Sequence, residues 1–339
     1  MWPGKSTYLI PLGDGLNFST PLDQIGGSVV PTPLFFVRCN YPPASLAPSD
    51  WQMRVDGCVR RPLTVRLADL QELPARTQEM WLECAGNGRS RFQPPAEGNQ
   101  WGDFAVSNAV FTGVPLSAVL ERVEVESEAI EVVATGADSP EFQRGLPLEV
   151  AMQPDVLLAW QMNGEPIPGP NGGPVRMVVP NWAGIASVKW PARLELVDKP
   201  FGGYYNAQRY IFVDSQGRTL RTVRELPVKS IIAWPDEGAM LPRQAHTLFG
   251  FAWSGFGAIE RVEVSTDGCA TWTDARLLRS GPLAWTRWEL DWTPGSSGKV
   301  LIAARATDSA SNVQPAQPTW NKFGYEMNAI AQRQVVVSA

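Results

Sequence analysis

The spacing of apolar residues changes character near residue 226, and the change divides the chain into two predicted domains. Before it, different periods alternate. Leu116-Ser117-Ala118-Val119-Leu120-Glu121-Arg122-Val123 places apolar residues at helical spacing just after Pro115, which predicts a short helix. Pro147 to Met152 predicts another. Ala129 to Thr135 reads as a buried strand, as does Val175 to Pro180, which is entered through a Pro/Gly-rich loop from Pro166 to Pro174. Strands, short helices and frequent Pro/Gly turns predict an irregular α+β domain over residues 1–225.

From Leu226 onward the pattern is that of short strands. Val228–Trp234, His246–Trp253, Ile259–Ser265, Trp285–Trp292 and Lys299–Thr307 follow one another, with turns at Pro235–Gly238 and Pro294–Gly298. No helical period interrupts them, so residues 226–339 predict an all-β sandwich. No low-complexity linker lies between the halves, and firm packing of one on the other is expected.

Length and composition fit this division. At 339 residues the chain is too long for one compact core and sufficient for two. Hydrophobic residues make up 44% and charged residues 19%, the balance of a globular protein. A net charge of -5 argues against a nucleic-acid partner. The 14 tryptophans point to deep pockets or broad packing surfaces. No apolar run approaches the ~18 residues of a membrane span, so no membrane partner is expected. Met1 to Lys5 carry neither a signal-peptide pattern nor twin arginines. That reads as cytoplasmic, or periplasmic if a leader has been removed.

Cysteine and histidine restrict the chemistry. Cys39, Cys58, Cys84 and Cys269 contain no C-x-x-C pair and too few thiols for a dense disulfide framework. The single histidine, His246, rules out two-histidine zinc sites and bis-histidine haem. It lies inside a predicted strand, where a structural role is expected.

Trp81-Leu82-Glu83-Cys84-Ala85-Gly86-Asn87-Gly88-Arg89 is the strongest chemical signal. An apolar lead-in carries a cysteine into a Gly-Asn-Gly turn with a basic tail, Arg89 to Arg91. A thiol beside fixed cations is biased toward thiolate, the form that attacks electrophiles or ligates metals. The glycines permit positive φ and close approach of a large group. A second cluster runs through Asn171-Gly172-Gly173-Pro174-Val175-Arg176 and on to Ser187-Val188-Lys189-Trp190. Its loop cations suit a phosphate or another oxyanion, although no nucleotide motif is present. The third is Phe35-Phe36-Val37-Arg38-Cys39-Asn40-Tyr41, where an arginine and an asparagine follow an apolar strand.

Together these segments resemble the sulfite oxidase family of molybdenum enzymes, over nearly the whole chain. Gly250–Gly255, Val262–Gly268 and Asn312–Pro315 continue the resemblance through the second half. It implies a molybdopterin-binding domain followed by an immunoglobulin-like dimerisation domain, and therefore a homodimer. The implied cofactor is Mo-molybdopterin, with Cys84 as the thiolate ligand of the metal and no haem. Phe36, Val37, Arg38, Cys39, Asn40, Asp138, Asn171, Arg176, Ser187, Val188 and Lys189 match cofactor-binding stretches, Arg176 and Lys189 being placed for the pterin phosphate. Arg38 and Arg89 match anion-binding arginines, Trp101 a pocket wall and Tyr210 the active-site tyrosine. Arg276 is a candidate to reach the pocket from the second domain.

Three departures stand out. Asn40 and Asn171 occupy positions where many members carry histidine, and Gly88 one where animal members carry arginine. The activity implied is oxidation of sulfite, or of a similar small sulfur oxyanion, with electrons passing to an external acceptor such as cytochrome c or oxygen. Alternatives within the family act on sulfane sulfur or sulfoxides. From another class, Ser265 to Trp272 approximates the Asp-box of glycan-handling propellers, which would make the chain a carbohydrate-binding module. The box occurs once, in a region that reads as a sandwich, and propellers need repeats.

Overall fold

The computed structural model describes residues 2–338. Two five-stranded sheets form the body of the first domain. One pairs Arg76–Glu83 with Val106–Pro115, then Leu157–Met162, which is flanked by both Glu165–Pro166 and Arg176–Val178. The other runs Leu63–Arg66, Gln52–Gly57, Pro191–Val197, Glu131–Gly136 and Gln143–Pro147, with its one parallel pairing between Gln52–Gly57 and Pro191–Val197. Val106–Pro115 and Leu157–Met162 are the central strands and are buried along most of their length, with Ser107 and Asn108 of the first among the buried polar residues. The two helices expected from spacing form as Leu116–Arg122 and Leu148–Ala151, each beginning directly after a proline. Every helix here is short, and β-structure dominates even in this half.

In the second domain a four-stranded sheet packs against a five-stranded one. The first runs Lys229–Trp234, His246–Trp253, Thr286–Trp292, Arg276–Arg279; the second runs Met240–Leu241, Ala331–Val337, Gly298–Asp308, Ile259–Ser265, Thr273–Asp274. Val228, Ile232, Leu248, Val262, Trp288, Ile302 and Val335 fill the space between them. Ala331–Val337 and Arg276–Arg279 were not evident from the apolar pattern: the first carries the polar run Gln332-Arg333-Gln334, and the second has exposed arginines at both ends. The Asp-box-like segment is the tight turn joining Ile259–Ser265 to Thr273–Asp274, with Asp267 accepting from the amides of Ala270 and Thr271. Such a turn, used once in a sandwich, gives no propeller blade. His246 lies between Trp234 and Trp292 and meets the Pro242 carbonyl, which is the structural role expected of it.

A shared core joins the domains. Ile231, Ala233, Phe251, Trp253 and Trp285 of the second continue the apolar cluster of the first. Two buried polar knots cross the boundary. Asp103 accepts from Arg333 and Arg91, at 3.2 and 3.3 Å. Glu83 takes Lys229 Nζ at 2.8 Å and Trp253 Nε1 at 2.7 Å. Six tryptophans, Trp51, Trp101, Trp190, Trp253, Trp285 and Trp288, are fully buried. Trp101 alone of these lines the cavities described below, so the tryptophan-rich composition serves mainly packing.

Candidate active site

The strand Arg76–Glu83 ends where its partner begins, and this delivers Cys84 to a turn at the sheet's edge. The Cys84 amide donates to the Ala105 carbonyl at 2.9 Å, and its carbonyl accepts from Asn87 at 2.8 Å. Asn87 locks the turn from inside, since its side chain accepts from the Ala105 amide and donates to Glu83 Oε1. Gly88 adopts φ 85°, a left-handed conformation that glycine occupies without steric cost. Gly86 serves close approach instead, because a Cβ there would lie 2.4 Å from the Arg89 guanidinium.

Cys84 stands at the junction of two cavities. Arg38, Asn40 and Tyr210 share that position with it, lining both. The inner chamber is closed by Phe36, Asp138, Asn171, Arg176, Ser187 and Lys189. Arg176 is 5% exposed and donates only to carbonyls, those of Asn171 at 2.8 Å and of Met177 and Ser187 at 3.3 Å. With no carboxylate partner, burial pulls its pKa down to about 10. Lys189 donates to Pro170 O and Cys39 Sγ, both at 2.9 Å, and burial lowers its pKa despite those neighbours. Burial also raises the pKa of Asp138, although Lys189 opposes the shift, and Asp138 Oδ1 has no hydrogen-bond partner. The site is unfinished chemistry: its cations face carbonyls and lack the counter-charge that a bound anion would supply, and the Asp138 oxygen lacks a donor.

The outer funnel leads from the junction to solvent. Six aromatic residues line it: Trp101, Tyr204, Tyr205, Tyr210, Phe323 and Tyr325. Arg89 enters from the Cys84 turn, with Nε donating to Phe323 O at 2.8 Å and Nη1 to Asn99 O at 2.7 Å. Arg38 donates through Nη2 to Asn40 Oδ1 at 2.6 Å. Burial alone would lower its pKa, yet Tyr210, Cys84 and Cys39 beside it hold it above its ordinary value. Arg209 caps the mouth, 3.5 Å from Glu97 and over the Phe323 ring. Trp101 Nε1 is buried without a partner.

The sequence-predicted residues thus divide. Phe36, Arg38, Asn40, Cys84, Asp138, Asn171, Arg176, Ser187, Lys189 and Tyr210 come together in the chamber, and Arg89 and Trp101 in the funnel. Val37, Cys39 and Val188 do not line either cavity. Val37 and Cys39 belong to a small cluster with Leu9 and Trp190, and Val188 to the main core. Strand alternation explains this: a contiguous matching stretch places every second side chain behind the wall. Cys39 keeps an indirect link through Lys189. The basic tail also splits, because Arg91 turns away to Asp103 and the Ile330 carbonyl. Arg276 pairs with Glu289 on the outer face of the sandwich and lines neither cavity.

Other contributors were missed. Lys5 donates to Asn171 Oδ1 at 3.1 Å and to the carbonyls of Thr32 and Phe35, bracing the chamber from outside. Tyr204, Tyr205 and Arg209 carry a readable signal, being polar aromatics and a cation after the Gly202-Gly203 pair. Phe323 and Tyr325 carry none, since they arrive from the far end of the chain. The second domain therefore does reach the site, through Phe323 and Tyr325 rather than through Arg276.

Comparison with known proteins agrees with this geometry. Residues 40–205 match the oxidoreductase molybdopterin binding domain, and residues 221–337 the Mo-co oxidoreductase dimerisation domain. The chain is 34% identical over 331 residues to mitochondrial sulfite oxidase of Mus musculus, covering 89% of this chain and 60% of that protein. To sulfite oxidase of Gallus gallus it is 35% identical, covering 87% of this chain and 70% of the other. It therefore spans about 60% of the length of the mouse relative. Among solved structures, the sulfane dehydrogenase SoxCD from Paracoccus pantotrophus superposes with a TM-score of 0.86 at 30% identity, covering 99% of this chain and 90% of that one. A cysteine at the mouth of a cationic chamber, both family models and these relatives lead to one conclusion: the chain belongs to the sulfite oxidase family of molybdopterin-dependent oxidoreductases.

Proposed function

We propose that this protein oxidises sulfite, or a closely similar sulfur oxyanion, to the sulfate level at a Cys84-ligated molybdopterin centre, passing the electrons to an external acceptor such as cytochrome c or oxygen. The observation that carries the reading is the placement of Cys84, at the one point where a chamber of uncompensated cations meets a funnel bearing arginines. The chamber suits the cofactor. Arg176 and Lys189 lack an ion-paired carboxylate and would hold its phosphate, while Asp138 Oδ1 is an acceptor awaiting an N–H donor. Among the described residues no three His, Cys, Asp or Glu side chains converge, so a metal here would need ligands beyond the protein's own. A single soft thiolate, completed by the sulfurs of a dithiolene, fits that requirement. When bound, molybdopterin supplies a metal–oxo centre that donates an oxygen atom to sulfur and accepts two electrons.

The protein's part is binding, orientation and exclusion of water. Arg38 and Arg89 provide fixed positive charge at the junction, with their other donors committed to the protein so that little reorganisation accompanies binding. The Tyr210 hydroxyl and the partnerless Trp101 Nε1 are hydrogen-bond donors for oxyanion oxygens. The aromatic walls limit water around the anion and so strengthen each of these contacts. The dimerisation-domain match supports a homodimer joined through the second domain.

One observation favours a second reading. The funnel is broad and aromatic, and Arg209 is already paired with Glu97, which suits a longer sulfane-sulfur compound as well as a bare oxyanion. The likeness to a sulfane dehydrogenase supports the same reading. The test is steady-state turnover of the molybdenum-loaded protein with sulfite and with thiosulfate, each using ferricyanide, cytochrome c and oxygen in parallel. Preference for sulfite by kcat/KM supports the first reading. Preference for thiosulfate replaces it with the second, and turnover of neither overturns both.

A further inference from the structure

Tyr210 sits in a backbone conformation that its own side chain disfavours. Its φ is 54°, in the left-handed region, where a bulky L-residue is strained and persists only if its surroundings over-determine it. Two hydrogen bonds hold it there. The Tyr210 carbonyl accepts from the Val223 amide at 2.7 Å, and the Tyr210 amide donates to the Tyr325 hydroxyl at 3.2 Å. The two rings also stack, 5.1 Å apart and 15° from parallel.

Tyr325 acts on a second funnel residue as well. The Arg89 guanidinium lies 5.3 Å from the centroid of its ring, while Arg89 Nε is held by the carbonyl of Phe323. Gly324 between them, at φ 58°, leaves the room this requires, since a Cβ there would come within 2.6 Å of Arg89 Cγ. The segment is itself rigidly tied. Asn321 exchanges hydrogen bonds with the Tyr325 backbone at 2.9 Å in both directions, and the Glu326 amide donates to Ala85 O at 3.0 Å. Arg221 grips both carboxylate oxygens of Glu326.

We infer that Tyr325, carried by the second domain, is a positioning residue for the reaction: its hydroxyl fixes Tyr210, its ring fixes Arg89, and the site is complete only when this segment is docked. The inference goes beyond the sulfite reading and borrows it only for the kinetic half of its test.

Molybdenum-loaded wild type, Tyr325→Phe, Tyr325→Leu, Tyr210→Phe and the Tyr210→Phe/Tyr325→Phe double variant form the experiment. Amide hydrogen exchange in the loaded protein reads the contact directly. Losing one hydrogen bond in Tyr325→Phe should speed exchange at Tyr210 about tenfold, with Glu131–Gly136 unchanged. In sulfite turnover, Tyr325→Phe should lower kcat about threefold to tenfold with KM little altered, because the ring under Arg89 remains. Tyr325→Leu removes the ring and should raise KM in addition. On the Tyr210→Phe background the Tyr325→Phe substitution should cost less than about twofold further, the non-additivity expected of residues acting through one another. Unchanged exchange at Tyr210 in Tyr325→Phe, or kinetic losses that simply multiply, overturns the inference. If wild type does not turn over sulfite, the sulfite reading fails by itself, and the exchange result still decides the role of Tyr325.

Discussion

The chamber and the funnel meet at the same cysteine, yet they treat positive charge in opposite ways. In the chamber, Arg176 is buried and Lys189 largely so; they meet carbonyls and a thiol, and burial lowers both pKa values. Where the chamber opens into the funnel, Arg38, which lines both, is held above its ordinary pKa by Tyr210, Cys84 and Cys39, against the effect of burial. A cation destabilised by its site is relieved by an anion that arrives and stays, and ligand binding of that kind adds to folding stability. A cation already stabilised gains less from each anion and releases it more readily. The first arrangement fits a resident cofactor and the second an exchanging substrate. The regions also differ in origin: the described chamber is built by the first domain alone, whereas the funnel takes Phe323 and Tyr325 from the second.

The largest effect is expected at the junction. Cys84→Ser should abolish sulfite turnover while circular dichroism shows the fold intact, because the turn is held by Asn87 and by backbone bonds rather than by the thiol. Undiminished turnover would show that the two regions do not converge on a Cys84-bound metal.

Next in size is the separation of the regions by cofactor content. Arg176→Gln should leave most of the purified protein without molybdenum, since it removes the more deeply buried of the two cations placed for the phosphate. Metal analysis showing full loading would mean that the chamber's charge is not what retains the cofactor.

A third substitution asks whether the domains can be unlatched behind the cysteine. Lys229 Nζ and Glu83 Oε1 form an ion pair with both side chains almost wholly buried. Removing one partner of such a pair typically costs ~3–5 kcal/mol, because the other charge is stranded. Lys229→Met should destabilise the protein by about that amount, and adding Glu83→Gln should recover part of it, since it removes the stranded charge while its one amide oxygen still accepts from either Trp253 or Asn87. Chemical denaturation of the single and double variants reads this directly. A double variant no more stable than Lys229→Met would indicate that the charge pair is not the latch.

How much of this was legible beforehand follows the same division. Chamber residues lie in contiguous motifs, and short-range signals sufficed: a cysteine before Gly-Asn-Gly, and cations in glycine-rich loops. What contiguity could not supply was facing, so Val37, Cys39 and Val188 came along with neighbours that do line the cavity. The sandwich was legible from strand spacing, except where polar residues hid Arg276–Arg279 and Ala331–Val337. The funnel's second-domain wall was not legible at all. Tyr325 meets Tyr210 across 115 residues of sequence, and Arg89 reaches Phe323 across 234. Contacts of that range depend on domain docking, which no local period records.

The smallest effect is the most discriminating, because it acts in the funnel and should spare the chamber. Arg89 has Nε and Nη1 engaged by the carbonyls of Phe323 and Asn99, which leaves Nη2, lying over Gly86, as its uncommitted donor group. One charge-assisted hydrogen bond to an anion in a poorly hydrated site is worth ~1.5–3 kcal/mol. Arg89→Gln should therefore raise KM for sulfite by more than about tenfold, the equivalent of 1.4 kcal/mol. Its molybdenum content should equal that of wild type, since Cys84, Arg176 and Lys189 are untouched. Arg38→Gln should raise KM comparably but also lose some metal, because Arg38 lines both cavities and contacts Asn40. KM normalised to molybdenum separates the two variants. If Arg89→Gln keeps full loading and a wild-type KM, the anion does not bind where the funnel's arginine points, and the division between resident and exchanging anions fails on the funnel side.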